Sequence, residues 1–165
     1  MPRKPKANVK TSCYEADAVQ EIAAGLIPEF HGTLKSASIE YFFLTREDED
    51  TQKILPPRAQ DALRFGRVQV ADKVSQEAEH WHFRLVLNGN WWEKATPEQK
   101  LGAVDTLLAA CWMREGRPLK VQPDVRGVFL GVYKRRGAWS KELADFAAAL
   151  AQQELPLEPA PAAGS

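Results

Sequence analysis

Residues 81–111, WHFRLVLNGNWWEKATPEQKLGAVDTLLAAC, decide the fold because they set a strand beside a buried helix. In the first half Trp81, Phe83, Leu85 and Leu87 alternate with His82, Arg84 and Val86. That period of two predicts a half-buried strand over 81–87. Asn88-Gly89-Asn90 reads as the turn that ends it. In the second half Thr96-Pro97-Glu98-Gln99 combines an N-cap, a proline at the first helical position and a capping-box partner. Leu101, Val104, Leu107, Leu108 and Cys111 then fall on one stripe of a helix, and Gly116 with Pro118 stops it. Such a helix is buried along most of its length.

Toward the N-terminus, Ser38–Leu44 is a strand candidate with Ile39, Tyr41 and Phe43 on one face, and Arg64–Lys73 is another. The acidic run Glu47–Asp50 between them reads as a solvated loop. A first helix is predicted over 13–27: Ser12 and Glu15 have capping-box spacing, Val19, Ile22, Ala23, Leu26 and Phe30 follow the helical period, and Pro28 marks its end. Toward the C-terminus, Val125–Tyr133 fits either a helix or a strand. Helix is favoured, with Gly127 and Gly131 one turn apart for close packing. A last helix starts near Trp139, with Leu143, Phe146, Ala147 and Leu150 on its inner face. Helix, strands, then helices is an α+β order. The expectation is a single domain over 12–152 with a small, mostly antiparallel sheet packed against helices. A basic arm (1–11: Arg3, Lys4, Lys6, Lys10) and a Pro/Ala-rich tail (153–165) flank it, both expected to be disordered.

A chain of 165 residues suits one domain with a real core. Its 22 basic and 22 acidic residues cancel, so there is no global pull toward nucleic acid or anionic membrane. The basic N-terminus lacks the apolar stretch of a signal peptide, and no run approaches the roughly 18 apolar residues of a membrane span. Cys13 and Cys111 are too few and too far apart for a disulfide framework, and each is expected to be a reduced, semi-buried thiol. A soluble, cytoplasmic protein with no membrane association is expected.

Candidate chemistry is sparse. His80 and His82 flank Trp81, and two positions apart on a strand share a face. They could jointly hold a metal with Asp72 or Glu79, or be a solvent-facing pair at a strand entrance. His31 follows Phe30 at a helix end, where an imidazole can meet the last carbonyls. There is no phosphate-cradling glycine loop and no Gly-x-Ser-x-Gly elbow. Cys111 lies on an apolar stripe with no base beside it in sequence, which favours a structural thiol over a nucleophile.

The stretch HFRLVLNGNWW, the helix opening TPEQKLGAVD, Pro123-Asp124-Val125, the phrase RRGAWS before a last helix and the early strand SIEYFFL occur in that spacing over roughly residues 17–147. In order and aromatic positions the chain resembles the metallopeptidases encoded by many phages and prophages. The resemblance implies a zincin-like fold. The family's zinc site is an HExxH helix after an aspartate, with a third histidine further on. Here the aspartate is Asp105, and the motif positions are Thr106, Leu107, Leu108, Ala109 and Ala110. Thr106 and Ala110 stand where the histidines would be, Leu107 where the general-base glutamate would be, and Pro123 where the third histidine would be. Two imidazoles four apart on a helix would reach one metal, and a glutamate would polarise its water. None of these residues can do either.

The reading is a pseudoenzyme: a metallopeptidase-like phage protein with no cofactor that binds, and could inhibit, a host macromolecule such as a defence protein. Two surfaces are candidates. One is the former cleft at Thr106, Ala110, Pro123 and Trp112. The other is basic, at Arg126, Lys134, Arg135 and Arg136 near Trp139, although Lys134-Arg135-Arg136 could equally complement a helix dipole. Trp91 and Trp92, adjacent in an extended chain, would point to opposite sides and leave one at an interface. The alternatives are a metal-dependent hydrolase centred on His80 and His82, and a nucleic-acid binder using the arm, Arg64, Arg67 and the Lys134 cluster, which net neutrality disfavours. The partner is expected to be a protein.

Overall fold

A computed structural model describes residues 8–55, 65–123 and 128–153. The expectations for Arg3, Lys4, Lys6, Arg64, Asp124, Val125, Arg126, Gly127 and the tail beyond Gln153 lie outside these residues, as do those for the side chains of Phe146 and Leu150. Among the described residues no helix is long and apolar enough to cross a membrane.

The first departure from expectation is at the N-terminus. Val9–Glu15 form a strand, β1, not the end of an arm and the first turn of a helix. Ser12 and Glu15 therefore cap nothing. Helix α1 (Asp17–Phe30) starts two residues beyond, with no side-chain cap at Ala16, whose N–H is tied instead to the Tyr41 carbonyl of the next strand (2.9 Å). Pairing along seven registers with β2 (Ile39–Asp48) prevails over the local capping signal. Pro28 sits inside α1 and does not end it; the helix runs on to Phe30, and His31 N–H closes on the Ile27 carbonyl. A 3-10 turn, Gly32–Ser36, leads into β2. That strand extends through Glu47 and Asp48, so half of the acidic run is sheet and only its end turns.

β3 (Gly66–Val70) and β4 (Phe83–Asn88) complete a four-stranded sheet in the order β1-β2-β4-β3. β1 and β3 run antiparallel to their neighbours, but β2 and β4 are parallel, so the sheet is mixed. β4 is central, and Phe83, Leu85, Val86 and Leu87 are all buried. Alternation predicts one covered face; Val86 is buried on the other face as well, whereas Arg84 and Asn88 stay half-buried. Between β3 and β4, Asp72 caps a short helix α2 (Lys73–Ala78), its carboxylate accepting from Ser75 N–H at 2.7 Å.

Asn88-Gly89-Asn90 does not turn the chain into a loop. The Asn88 side chain accepts from the Asn90 and Trp91 N–H groups and starts helix α3 (Gly89–Lys94). A Cβ at Gly89 would come within 2.6 Å of the Thr45 methyl, so glycine lets α3 press onto β2. Next, α4 (Pro97–Ala109) has the expected capping box between Thr96 and Gln99 and the expected proline. It ends earlier than Gly116: Ala110 closes it, and Cys111–Arg114 (β5) and Arg117–Lys120 (β6) form a separate antiparallel hairpin. Helices α5 (Leu130–Arg136) and α6 (Lys141–Gln153) follow.

The core forms where α1 and α4 meet the sheet. Val19 and Ala23 of α1, Phe83, Leu85 and Leu87 of β4, and Val104, Leu107 and Leu108 of α4 are fully buried or nearly so. Burying each larger side chain is worth about 1.5–3 kcal/mol. Every residue from Gly102 to Leu108 is buried, which puts α4 at the centre of the molecule.

Candidate functional site

The α4 face that the resemblance marks is closed. Leu107 is fully buried, and Thr106 and Ala110 are each 8% exposed. Thr106 Oγ1 donates to the Gly102 carbonyl one turn back (2.8 Å). Ala110 is the C-cap and Pro123 is half-buried. These residues do not fit a zinc ion, which takes imidazole, thiolate or carboxylate ligands. Thr106 and Ala110 are thus buried, whereas Trp112 stands exposed on the hairpin that follows.

The polar centre of α4 is one residue earlier. Asp105 is completely buried, on a helix surrounded by apolar side chains. Its Oδ1 accepts from His31 Nε2 (2.7 Å) and Arg135 Nη2 (2.7 Å). Its Oδ2 accepts from Arg135 Nε (3.3 Å) and Arg136 Nε (3.1 Å). A carboxylate offers about four acceptor positions, and these four donors occupy them. Arg135 binds in the two-pronged geometry that makes such pairs strong. Burial alone would raise the Asp105 carboxyl. The hydrogen bonds from His31 and Arg135 and their charge outweigh it and hold the group at about 2.

Three helices supply this cluster. α4 gives the carboxylate, the end of α1 gives Phe30 and His31, and the last turn of α5 gives both arginines. The Arg135 guanidinium lies over the Phe30 ring, 4.4 Å from its centroid, with Arg136 at 5.5 Å. This explains why α1 continues past Pro28: the last turn delivers Phe30 and His31 to the cluster. Just after α5, Gly137 adopts a positive φ and the chain turns so that Trp139 lies against α4. A Cβ at Gly102 would overlap the Trp139 ring. RRGAWS is thus the segment that clamps α4.

The basic surface expected at the end of α5 is therefore divided. Arg135 and Arg136 turn inward to Asp105, Lys134 remains exposed, and Arg126 lies outside the described residues. Trp91 and Trp92 stand on a helix, not on extended chain. Trp92 is buried against Phe43 (5.4 Å between ring centroids), and Trp91 is half-buried against Phe65 (5.6 Å). Neither is exposed.

At the histidine pair, His80 sits at a positive φ before β4 begins, and His82 Nδ1 accepts from Ser38 N–H (2.8 Å). The Glu79 carboxylate accepts from Trp81 Nε1 and Arg84 Nη2, both at 2.8 Å, and Asp72 caps α2. Among the described residues no three His, Cys, Asp or Glu side chains gather as a metal site would require. Cys111 is buried at the start of β5, its Sγ donates to the Leu107 carbonyl (3.3 Å), and burial pushes its thiol up to about 12. That suits a structural role and not a nucleophile. Cys13, expected to be semi-buried, is exposed on β1.

The β5–β6 hairpin stands where the sequence pattern predicts the end of a helix. Glu115 and Gly116 both have positive φ, the condition for a two-residue hairpin turn. Cys111 and Pro118 are buried on its inner face, whereas Trp112, Arg114, Arg117 and Leu119 are exposed on the outer one. Trp112 pairs across the strands with Leu119, and Arg114 with Arg117. The legible signal was two four-residue runs around Glu115-Gly116.

No family model, curated protein or solved structure matches the chain. The class defined by the structure is an α+β fold with a small mixed sheet and several helices.

Proposed function

We propose that the chain is a zincin-like pseudoenzyme, phage or prophage encoded, that acts in the host cytoplasm by binding a host protein such as a component of a defence system. The observation that carries this reading is the character of α4. The residues at the catalytic positions of the resembled family, Thr106, Leu107 and Ala110, offer no free ligand atom. The carboxylate beside them, Asp105, has both oxygens engaged by His31, Arg135 and Arg136. A helix that binds no metal and activates no water can still hold a scaffold together, because that needs only apolar packing and a satisfied polar centre.

The test has two arms. Protein purified without an affinity tag is assayed for zinc and for chelator-sensitive hydrolysis of casein; both are expected to be absent, and stoichiometric zinc with chelator-sensitive cleavage overturns the pseudoenzyme. The second arm is a pull-down from the native host at micromolar protein. A specific protein partner is expected, and repeated failure to recover one counts against the binding role.

A further inference from the structure

We propose that the outer face of the β5–β6 hairpin is a docking surface for an acidic protein segment that carries an apolar side chain between carboxylates. The inference rests on the reading of this chain as a binding protein and names which face binds and what chemistry it takes. Trp112 and Leu119 face each other across the hairpin and are 46% and 43% exposed, an apolar pair left open by the described residues. Beside them Arg114 and Arg117 are also direct cross-strand partners, and both are exposed. Among the described residues neither arginine makes an ion pair. Like charges set opposite each other on a hairpin repel, so this arrangement weakens the free protein and is relieved when anions lie against it. The hairpin carries a single carboxylate, Glu115 in the turn, whereas Lys120 pairs with Cys111 and belongs to the opposite face.

The support beneath is firm. Cys111 and Pro118 anchor the inner face, and the positive-φ turn fixes how the two strands present their outer side chains. Tryptophan and arginine on a pre-organised surface are the residues that most often anchor protein partners.

Charge complementarity selects the occupant. A second copy meeting this face about a two-fold axis would set the arginines against arginines. A nucleic acid would satisfy the arginines and could stack on Trp112, but it would leave Leu119 uncovered, and the net charge of the chain is zero. An acidic segment with an apolar residue satisfies both halves of the face.

The probes are three fluorescein-labelled molecules titrated by anisotropy against the full chain at low salt: the peptide EEELFEEE, the peptide EEESGEEE, and an oligothymidine of matching charge. The expected result is saturable binding of the first, at least fivefold weaker binding of the second, and weakening of the first with added salt. Trp112→Ala and the double variant Arg114→Glu/Arg117→Glu should each reduce its affinity at least tenfold while keeping the wild-type circular dichroism spectrum and melting temperature to within a few degrees. Unchanged affinity in folded variants overturns the proposal, as does no binding at millimolar peptide. Tighter binding of the oligothymidine, lost in the same variants, overturns it in favour of nucleic acid. If the variants still capture the host partner as the wild type does, this face falls while the binding reading stands.

Discussion

Arg135 and Arg136 at the end of α5 and Arg114 and Arg117 on the β5–β6 hairpin are pairs of arginines beside an aromatic ring, in opposite circumstances. The first pair converges on Asp105 and lies over Phe30, with side chains only 25% and 21% exposed. The second pair flanks Trp112 in solvent, with no carboxylate partner among the described residues. The difference is whether the fold supplies the anion. Where it does, arginine becomes part of the framework and ties three helices together. Where it does not, arginine beside exposed apolar surface is held ready for something else.

The largest effect should come from removing that internal anion. Asp105→Ala leaves two guanidiniums and an imidazole around a buried hole, and losing one partner of such a cluster costs about 3–5 kcal/mol. Thermal unfolding should show a melting temperature lower by about 10 °C. A near-neutral result would break the contrast between the two arginine pairs.

Acid sharpens the same contrast. The Asp105 carboxyl is held at about 2, below its unfolded value. A depressed carboxylate contributes stability that is fully present above the unfolded value near pH 4 and is lost as pH falls through about 2. By linkage the contribution is about 2 kcal/mol. Urea midpoints should therefore fall between pH 5 and pH 2 by more in the wild type than in Asp105→Asn. Equal slopes would mean that Asp105 is not the group being titrated.

Gly102→Ala tests the clamp rather than the charge. The added methyl meets the Trp139 ring, and overpacking of this kind costs about 1–3 kcal/mol. Urea unfolding measures it, and a second substitution of Trp139 by Leu should recover part of the loss. On the hairpin the sign reverses. Arg114→Glu replaces a repulsive cross-strand pair by an attractive one, so stability should stay level or rise by about 0.2–1 kcal/mol.

The sequence showed the parts of this molecule that are local. The α4 start was legible because Thr96, Pro97 and Gln99 act within one turn, and the central strand because Phe83, Leu85 and Leu87 repeat every second residue. β1 is masked because Ser12 and Glu15 imitate a helix cap, whereas the strand depends on a partner about 27 to 39 residues away in the chain. The hairpin is hidden because Gly116 and Pro118 look like the stop of a helix that already ends at Ala109. The Asp105 cluster could not be read at all. His31 lies 74 residues from Asp105 and Arg135 lies 30, and no periodicity spans such gaps. By sequence Lys134-Arg135-Arg136 fits a helix-dipole partner and a binding surface equally well. Its two arginines serve neither first, because a buried carboxylate takes them.

One paired measurement tests the account most directly: urea unfolding of Arg135→Glu and Arg114→Glu beside the wild type. Reversing Arg135 sets a second carboxylate against buried Asp105 and should cost at least about 3 kcal/mol, whereas reversing Arg114 should cost nothing or stabilise slightly. Equal losses at the two sites, or a neutral Arg135→Glu, would contradict the claim that one arginine pair is framework and the other is presented to a partner.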